Sequence, residues 1–230
     1  MFKKIFKKES VKGISIRGVT KYYNTKKGRK YVLKNESFEI PEGKNIGVLG
    51  RNGAGKSTLL RMLGGIDFPN EGEILSDKSF SWPLALSGGF QGNLSGRDNC
   101  KFVARVYGKT PYQTNKLIER VKEFSELGDY FDMPIKTYSS GMKSKLSFGL
   151  SISFDFDYYL VDETLSVGDP SFKHKCEIEV DRIQKEKLFI IVSHDTKIIE
   201  RMCDVVIVLT NGSLKLYENI EEGISVYENQ

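Results

Sequence analysis

One segment of the chain has the residue types and spacing that bind phosphate groups. Residues 50–58 read GRNGAGKST, which fits the pattern G-x-x-x-x-G-K-[S/T]. In this pattern the glycines let bare backbone amides approach phosphate oxygens, and the start of the following helix adds unpaired N–H groups. Lys56 is suited to reach the β- and γ-phosphates of a nucleotide, and Ser57 to bind Mg²⁺. The predicted nucleotide-binding residues are Gly50, Asn52, Gly53, Ala54, Gly55, Lys56, Ser57 and Thr58.

The elements on either side of this segment support the same interpretation. An apolar run, Ile46 to Leu49, predicts a buried strand before it, and apolar residues at helical spacing follow it from Leu59 to Leu63. A strand, a glycine loop and a helix start, in that order, are the context that a P-loop requires. The alternative is a glycine-rich turn that binds nothing, and it is disfavoured because the pattern and its context both match.

Acidic and histidine side chains follow two further predicted strands, at the strand ends where parallel α/β sheets bind ligands. Residues 158–163, YYLVDE, form an apolar run that ends in Asp162 and Glu163. Asp162 is suited to hold Mg²⁺ through water and Glu163 to orient an attacking water, whereas capping of the next helix is the alternative. A second apolar run, Leu188 to Val192, leads to His194, which is suited to hydrogen-bond a γ-phosphate.

Four shorter signals are ambiguous when each is taken alone. Gln91 lies in a polar, glycine-rich loop, where a glutamine is usually only solvated, and Asp169 occupies a Gly-Asp-Pro turn. Residues 139–141, Ser-Ser-Gly, begin a predicted helix and suit either anion binding or an ordinary N-cap. Tyr22 or Tyr23 is suited to stack on an adenine ring, although a strand aromatic buried in the core is the commoner case.

The rest of the chain is organised around these segments. Residues 14–23 and 31–40 predict an antiparallel hairpin, with residues 24–30 as the connecting turn. Residues 95–128 predict helix, with an amphipathic stripe that ends at a glycine. Residues 205–209 predict one more buried strand, after which we expect a short polar tail.

Length and composition are those of a globular chain with one or two domains. The chain has 230 residues, of which 39% are hydrophobic, and no apolar run approaches the ~20 residues of a membrane span. We expect no signal peptide. The three cysteines are far apart and lack metal-ligand spacing, so we expect reduced, buried thiols.

Positive charge is concentrated in residues 1–34, which hold twelve Lys or Arg and one acid, Glu9. The remaining 196 residues hold 23 basic and 29 acidic residues. A nucleic-acid-binding domain more often spreads positive charge along a groove, so we expect no nucleic-acid partner. Residues 1–8 place three apolar side chains among four lysines, which suits either a small membrane-surface contact or a solvated terminus.

Taken together, these segments resemble the ATP-binding subunits of ABC transporters over nearly the whole chain. The resemblance implies an α/β fold: a P-loop NTPase (RecA-like) core with an N-terminal antiparallel β subdomain and an inserted α-helical subdomain. It implies one ABC ATP-binding domain at residues 13–230, after a basic segment at residues 1–12, with the helical subdomain at about residues 92–153. ATP and Mg²⁺ are the implied cofactors, and ATP hydrolysis is the implied activity.

The same resemblance gives a role to each candidate side chain at the strand ends and loops. Asp162 matches the Walker B aspartate, Glu163 the catalytic carboxylate and His194 the switch histidine. Gln91 matches the Q-loop glutamine, which couples Mg²⁺ and the membrane subunit. Asp169 matches the D-loop aspartate, and the resemblance counts it as catalytic together with Glu163, His194 and Gln91.

Two further nucleotide-contacting positions follow from the resemblance. Tyr23 best fits the adenine-stacking aromatic. Residues 138–142 read YSSGM where the family has the signature LSGGQ. Ser139 and Gly141 keep the serine and the second glycine that contact phosphate, and Ser140 stands in place of the first glycine.

Residues 81–108 and 130–150 narrow the resemblance further, to the ATPases that export capsular polysaccharide in Gram-negative bacteria. Exporters of O-antigen or teichoic acid are close relatives and remain the alternative. The resemblance implies a homodimer that sandwiches two ATP molecules and joins two integral-membrane permease subunits. The implied location is the cytoplasmic face of the bacterial inner membrane, with peripheral attachment and a lipid-linked polysaccharide contacted by the permease.

Two rival interpretations remain. A soluble ABC protein acting on ribosomes or DNA usually carries two ATP cassettes or long coiled-coil insertions, and neither is evident in the sequence. A P-loop GTPase or kinase would leave the signature and the Q-loop unexplained.

Overall fold

The computed structural model of the chain describes residues 12–84, 89–162 and 169–230. These residues divide into two compact units. The first contains residues 12–83, 156–162 and 186–230, and the second contains residues 84, 89–155 and 169–185. Residues 1–8, which suit a membrane contact, and Glu163 lie outside the described residues.

The described strands all belong to the first unit. They are β1 (Ile14–Thr25), β2 (Gly28–Ile40), β3 (Ile46–Gly50), β4 (Glu71–Ser76), β5 (Tyr158–Asp162), β6 (Leu188–Val192), β7 (Val205–Thr210) and β8 (Ser213–Tyr217). One sheet has the order β2-β1-β4 and is antiparallel. The other has the order β5-β6-β3-β7-β8, in which only the β7–β8 pair is antiparallel among the described strands.

The described helices are α1 (Lys56–Leu63), α2 (Gly96–Val106), α3 (Pro111–Ser125), α4 (Ser140–Ile152), α5 (Pro170–Gln184), α6 (Thr196–Met202) and α7 (Ile220–Glu228). Helices α2 to α5 lie in the second unit, so the helical subdomain that we predict at residues 92–153 falls within that unit, which also contains α5. None of the helices in the described part of the chain combines the length and apolar composition that crossing a bilayer requires.

Each unit buries its own apolar side chains. In the first unit one cluster joins both sheets and α1, with fully buried Ile14, Ile46, Leu60 and Ile190 among its members. Burial of each such side chain contributes about 1.5–3 kcal/mol. The three cysteines of the chain are free and buried, as predicted, and burial raises the pKa of the Cys100 thiol to about 12.

The predicted N-terminal hairpin is present, but its turn is shorter than residues 24–30. Strand β1 continues to Thr25, which pairs with Gly28 at the start of β2. The Thr25 hydroxyl donates to the Gly28 carbonyl (2.7 Å) and accepts from the Lys27 amide (3.2 Å), while Gly28 has φ +108°. The threonine side chain and a left-handed glycine therefore close the turn within a run of charged residues that suggested a longer loop.

The predicted helix at residues 95–128 is divided into α2 and α3. Gly108, with φ +68°, turns the chain after α2. Thr110 and Gln113 then form a capping box that starts α3. Helix α3 ends before the predicted glycine because Glu126 already adopts the left-handed conformation, with φ +53°.

The expectation of a short polar tail after β7 is wrong. Asn211 (φ +52°) and Gly212 (φ +85°) form a two-residue turn into β8, a turn whose central residues both need positive φ. Asn219 then caps α7 by accepting a hydrogen bond from the Glu222 amide (3.1 Å). Ile224 of this helix is buried, so the segment belongs to the packed first unit.

Candidate nucleotide-binding site

The predicted strand, loop and helix follow one another at residues 46–63. Strand β3 is entirely buried, and the loop after it contains Gly53 (φ +79°) and Gly55 (φ +116°). A Cβ atom on Gly55 would lie 2.1 Å from Cγ1 of Val32, so both the backbone conformation and the space require glycine there. Gly55 is the N-cap of α1 and supplies no side-chain acceptor. The first-turn amides of α1 therefore suit an anion such as phosphate.

Lys56 carries a buried ammonium group into the centre of this loop. Lys56 as a whole is only 4% exposed. Nζ donates to the backbone carbonyls of Gly50 (2.8 Å) and Arg51 (3.3 Å). A charged donor enclosed by the phosphate-binding loop is positioned for strong, charge-assisted hydrogen bonds to an anion.

A cavity of about 240 Å³ adjoins the loop. Tyr23 forms part of its wall. Tyr22 does not line this cavity: its ring centroid lies 5.4 Å from that of Tyr31, and the Arg29 guanidinium lies 4.4 Å from its centroid. The structure thus places Tyr23, and not Tyr22, beside the loop. The residues lining the cavity are Tyr23, Lys30, Val32, Asn52, Gly53, Gly55, Lys56, Ser57 and Thr58.

Two oxygen ligands suited to a divalent cation meet next to the loop. The Ser57 hydroxyl, in the first turn of α1, donates to Oδ1 of Asp162 at the end of β5, at 3.1 Å. A hydroxyl and a carboxylate are hard oxygen ligands, and Mg²⁺ typically takes few protein ligands and keeps several waters. The pair therefore fits the Mg²⁺ site that the sequence predicts.

The order of the large sheet brings the predicted strand-end residues of the first unit to one edge. Strand β6 pairs in parallel with both β5 and β3, and Val192 is the register partner of Asp162 on one side and of Val48 on the other. His194 follows β6 and so leaves the sheet at the same edge as Asp162 and the phosphate-binding loop.

The His194 side chain is exposed and has a neighbour that the sequence did not predict. Its Nδ1 lies 3.4 Å from the hydroxyl of Tyr227 in α7. Such a contact can orient an imidazole ring. The only signal for Tyr227 would have been correct prediction of α7, which the sequence analysis treated as a polar tail.

The signature-like residues begin a helix of the second unit. Ser139 is the N-cap of α4, and its hydroxyl accepts from the Met142 amide at 3.2 Å; Ser140 and Gly141 form the first turn. Tyr138, where the family has leucine, is buried, and its hydroxyl donates to the Tyr130 carbonyl at 2.6 Å. Burial raises the pKa of Tyr138 to about 12. The departure from the family pattern at Tyr138 thus adds a hydrogen bond to Tyr130 just before the start of α4.

Gln91 and Asp169 also lie in the second unit, so they belong to a different compact unit from the phosphate-binding loop. The Gln91 side chain is exposed, while its backbone amide donates to Asn99 Oδ1 at 2.8 Å.

Asp169 caps α5 by accepting from the Phe172 amide at 3.0 Å. Its other oxygen accepts from Nζ of Lys145 in α4 at 2.8 Å. The Lys145 hydrogen bond, together with that capping bond, lowers the pKa of Asp169 to about 2. Asp169 is therefore charged at neutral pH.

Comparison with known proteins agrees with this geometry. The family model described as ABC transporter matches residues 33–166, more than half of the chain. The polysialic acid transport ATP-binding protein KpsT of Escherichia coli is 55% identical over 94% of this chain and 96% of its own length. The capsule polysaccharide export ATP-binding protein CtrD of Neisseria meningitidis serogroup B is 44% identical over 93% of this chain and 98% of its own length.

A solved structure shows the same fold. The dimeric ATP-binding cassette MJ0796, in a post-hydrolysis state bound to ADP and Pi, matches with a TM-score of 0.71 at 20% identity, over 89% of this chain and 97% of that chain. A likeness at this identity concerns the fold alone. The predicted α/β cassette fold is confirmed, and the interpretation as a P-loop GTPase or kinase is excluded by the family match.

Proposed function

The chain belongs to the ABC transporter family, and from that premise we propose that it is the ATP-hydrolysing subunit that powers export of capsular polysaccharide across the bacterial inner membrane. The observation that carries the proposal is the buried Lys56 inside a glycine loop, beside a cavity walled by Tyr23 and next to the Ser57–Asp162 pair. The choice of cargo is supported by relatives that span nearly the whole chain and whose names record polysialic acid transport and capsule polysaccharide export.

In the proposed mechanism the side chains of the first unit bind and orient ATP. Tyr23 stacks on the adenine ring, and Lys56 binds the β- and γ-phosphates. Ser57 and Asp162 would hold Mg²⁺, which would offset the negative charge of the phosphates. His194 donates a hydrogen bond to the γ-phosphate, and Glu163 orients and deprotonates the attacking water.

The residues of the second unit complete the site across a homodimer. Two copies bind two ATP molecules head to tail, and the first turn of α4 in one copy, at Ser139, Ser140 and Gly141, binds the γ-phosphate held by Lys56 of the other. The N-cap geometry of Ser139 supports this role, because a helix start presents backbone donors to an anion. Gln91 would couple bound Mg²⁺ to the membrane subunit, and Asp169 acts with the catalytic residues.

Transport follows from the difference in ATP affinity between open and closed dimers. ATP binding favours the closed dimer, and hydrolysis with product release favours the open one. Two permease subunits, attached at the cytoplasmic face, convert this switch into movement of a lipid-linked polysaccharide.

Copurification tests this function. The chain is tagged in its native cells, isolated from detergent-solubilised membranes, and analysed by mass spectrometry for protein and glycan. We expect a permease subunit and a lipid-linked capsular polysaccharide. Recovery of an O-antigen or teichoic acid precursor would replace the proposed cargo, and recovery of ribosomal proteins or DNA without a permease would contradict a transport role.

A further inference from the structure

The loop between α1 and β4 is joined to β1 by a partly buried ion pair between Asp67 and Lys21. Asp67 Oδ1 accepts a hydrogen bond from Nζ of Lys21 at 2.5 Å, and the same Nζ donates to the Phe68 carbonyl at 2.7 Å. Lys21 is only 6% exposed although it is charged. A buried ammonium is tolerated only where acceptors surround it, so this pair fixes the place of the loop against the strand.

The second oxygen of Asp67 holds the tyrosine of the nucleotide cavity. Oδ2 accepts from the Tyr23 hydroxyl at 2.7 Å. Nζ of Lys21 also lies 5.0 Å from the centroid of the Tyr23 ring, within cation–π range. One carboxylate thus receives both the buried lysine and the aromatic side chain that walls the cavity.

Two further hydrogen bonds join Asn70 of this loop to β1. The Asn70 amide donates to the Thr20 carbonyl at 2.8 Å, and the Tyr22 amide donates to Asn70 Oδ1 at 2.7 Å. The loop therefore contacts four consecutive residues of β1, from Thr20 to Tyr23. The loop thus holds the backbone of β1 up to Tyr22 and the hydroxyl of Tyr23, and together these contacts limit the positions open to the Tyr23 ring.

We propose that Asp67, held in place by Lys21, is a positioning residue that fixes the Tyr23 ring for stacking on the nucleobase. The inference rests on the proposed function, in which ATP occupies this cavity with its adenine on Tyr23. It predicts that the part of ATP affinity that comes from the base depends on a residue that touches neither base nor phosphate.

The charge state of Asp67 supports the same role. Burial alone would raise the pKa of this carboxyl, but the hydrogen bonds from Lys21 and Tyr23 outweigh burial and lower the pKa. Asp67 is therefore a carboxylate at neutral pH: Oδ1 accepts from Lys21 and from the Phe68 amide, and Oδ2 accepts from Tyr23.

The test compares affinity for MgATP with affinity for magnesium tripolyphosphate, which lacks the base, by calorimetry. Tyr23→Phe removes only the hydroxyl, and Asp67→Asn leaves one acceptor oxygen for three donors, which are Lys21, the Phe68 amide and Tyr23. We expect each variant to weaken ATP binding about 3- to 10-fold, as loss of the short Tyr23–Asp67 hydrogen bond would, and to leave tripolyphosphate binding unchanged. The double variant should be no weaker than either single variant. Tyr22→Phe, a neighbouring tyrosine outside the cavity, is the matched control.

The outcomes separate this inference from the proposed function. Tyr23→Ala should abolish the preference for ATP over tripolyphosphate. If Tyr23→Ala loses this preference while Tyr23→Phe and Asp67→Asn bind ATP like the wild type, the positioning role of Asp67 is overturned and the proposed function stands. Equal loss of both ligands in Asp67→Asn would also overturn it, since that pattern reports general damage to the fold. If the wild type does not prefer ATP over tripolyphosphate, or if Tyr23→Ala keeps that preference, the proposed stacking of adenine on Tyr23 is wrong. The inference about Asp67 is then wrong as well.

Discussion

Replacing Glu163 with glutamine is expected to leave ATP binding intact while reducing steady-state hydrolysis by about 10²- to 10⁴-fold, the usual contribution of a general base. The amide keeps the shape of the side chain but cannot take a proton from the attacking water. Because the closed dimer then cannot hydrolyse its ATP, it should accumulate. Phosphate release measures the first effect, and size-exclusion chromatography with ATP measures the second.

The control for this variant is Glu200→Gln, which changes an exposed carboxylate of α6 in the first unit. It should hydrolyse ATP at the wild-type rate. Near-normal hydrolysis by Glu163→Gln would remove Glu163 from the catalytic role, and the base would have to be sought elsewhere.

Lys56→Ala should have the largest effect on binding. The buried ammonium donates to the carbonyls of Gly50 and Arg51, and in the proposed site it binds the β- and γ-phosphates. Loss of one or two charge-assisted hydrogen bonds, each contributing about 1.5–3 kcal/mol, predicts ATP affinity that is weaker by about 10- to 100-fold or more. Calorimetry with MgATP measures the change.

Lys44→Ala, at an exposed lysine just before β3, is the matched control and should bind ATP normally. Thermal unfolding of both variants shows whether the loop stays folded, since Lys56 also bonds the loop itself. Unchanged ATP affinity in a folded Lys56→Ala variant would contradict the assignment of the phosphate-binding loop.

The parts of the site that depend on local sequence could be predicted. The phosphate-binding loop follows from glycines, Lys56 and Ser57 within nine consecutive residues, and Asp162 and His194 follow from apolar runs that end in polar side chains. The parallel order of β5, β6 and β3 then brings these ends together, because such sheets align their carboxyl edges.

Contacts between distant residues could not be predicted in this way. Asp67 lies 44 residues from Tyr23, and Tyr227 lies 33 residues from His194, so no local pattern links the members of either pair. The choice between Tyr22 and Tyr23 likewise required the sheet, because adjacent strand residues face opposite sides and the pattern does not say which side meets the loop.

One error was avoidable from the sequence. Asn211 and Gly212 are the commonest residue pair in a tight hairpin turn, and they follow a predicted strand. That signal predicts a second strand, β8, so the chain after β7 is expected to be packed and not a polar tail. The expectation of a polar tail gave too much weight to composition and too little to turn chemistry.

The most direct test of the transport function is made in the cells that encode this chain. Deletion of its gene should remove capsular polysaccharide from the cell surface and cause lipid-linked polysaccharide to accumulate inside, as measured by surface antibody labelling and by glycan analysis of cell lysates. Wild-type chain should restore surface polysaccharide, whereas an equal amount of Glu163→Gln chain should not. Normal surface polysaccharide in the deletion strain, or full restoration by Glu163→Gln, would contradict the proposal that ATP hydrolysis by this chain powers the export.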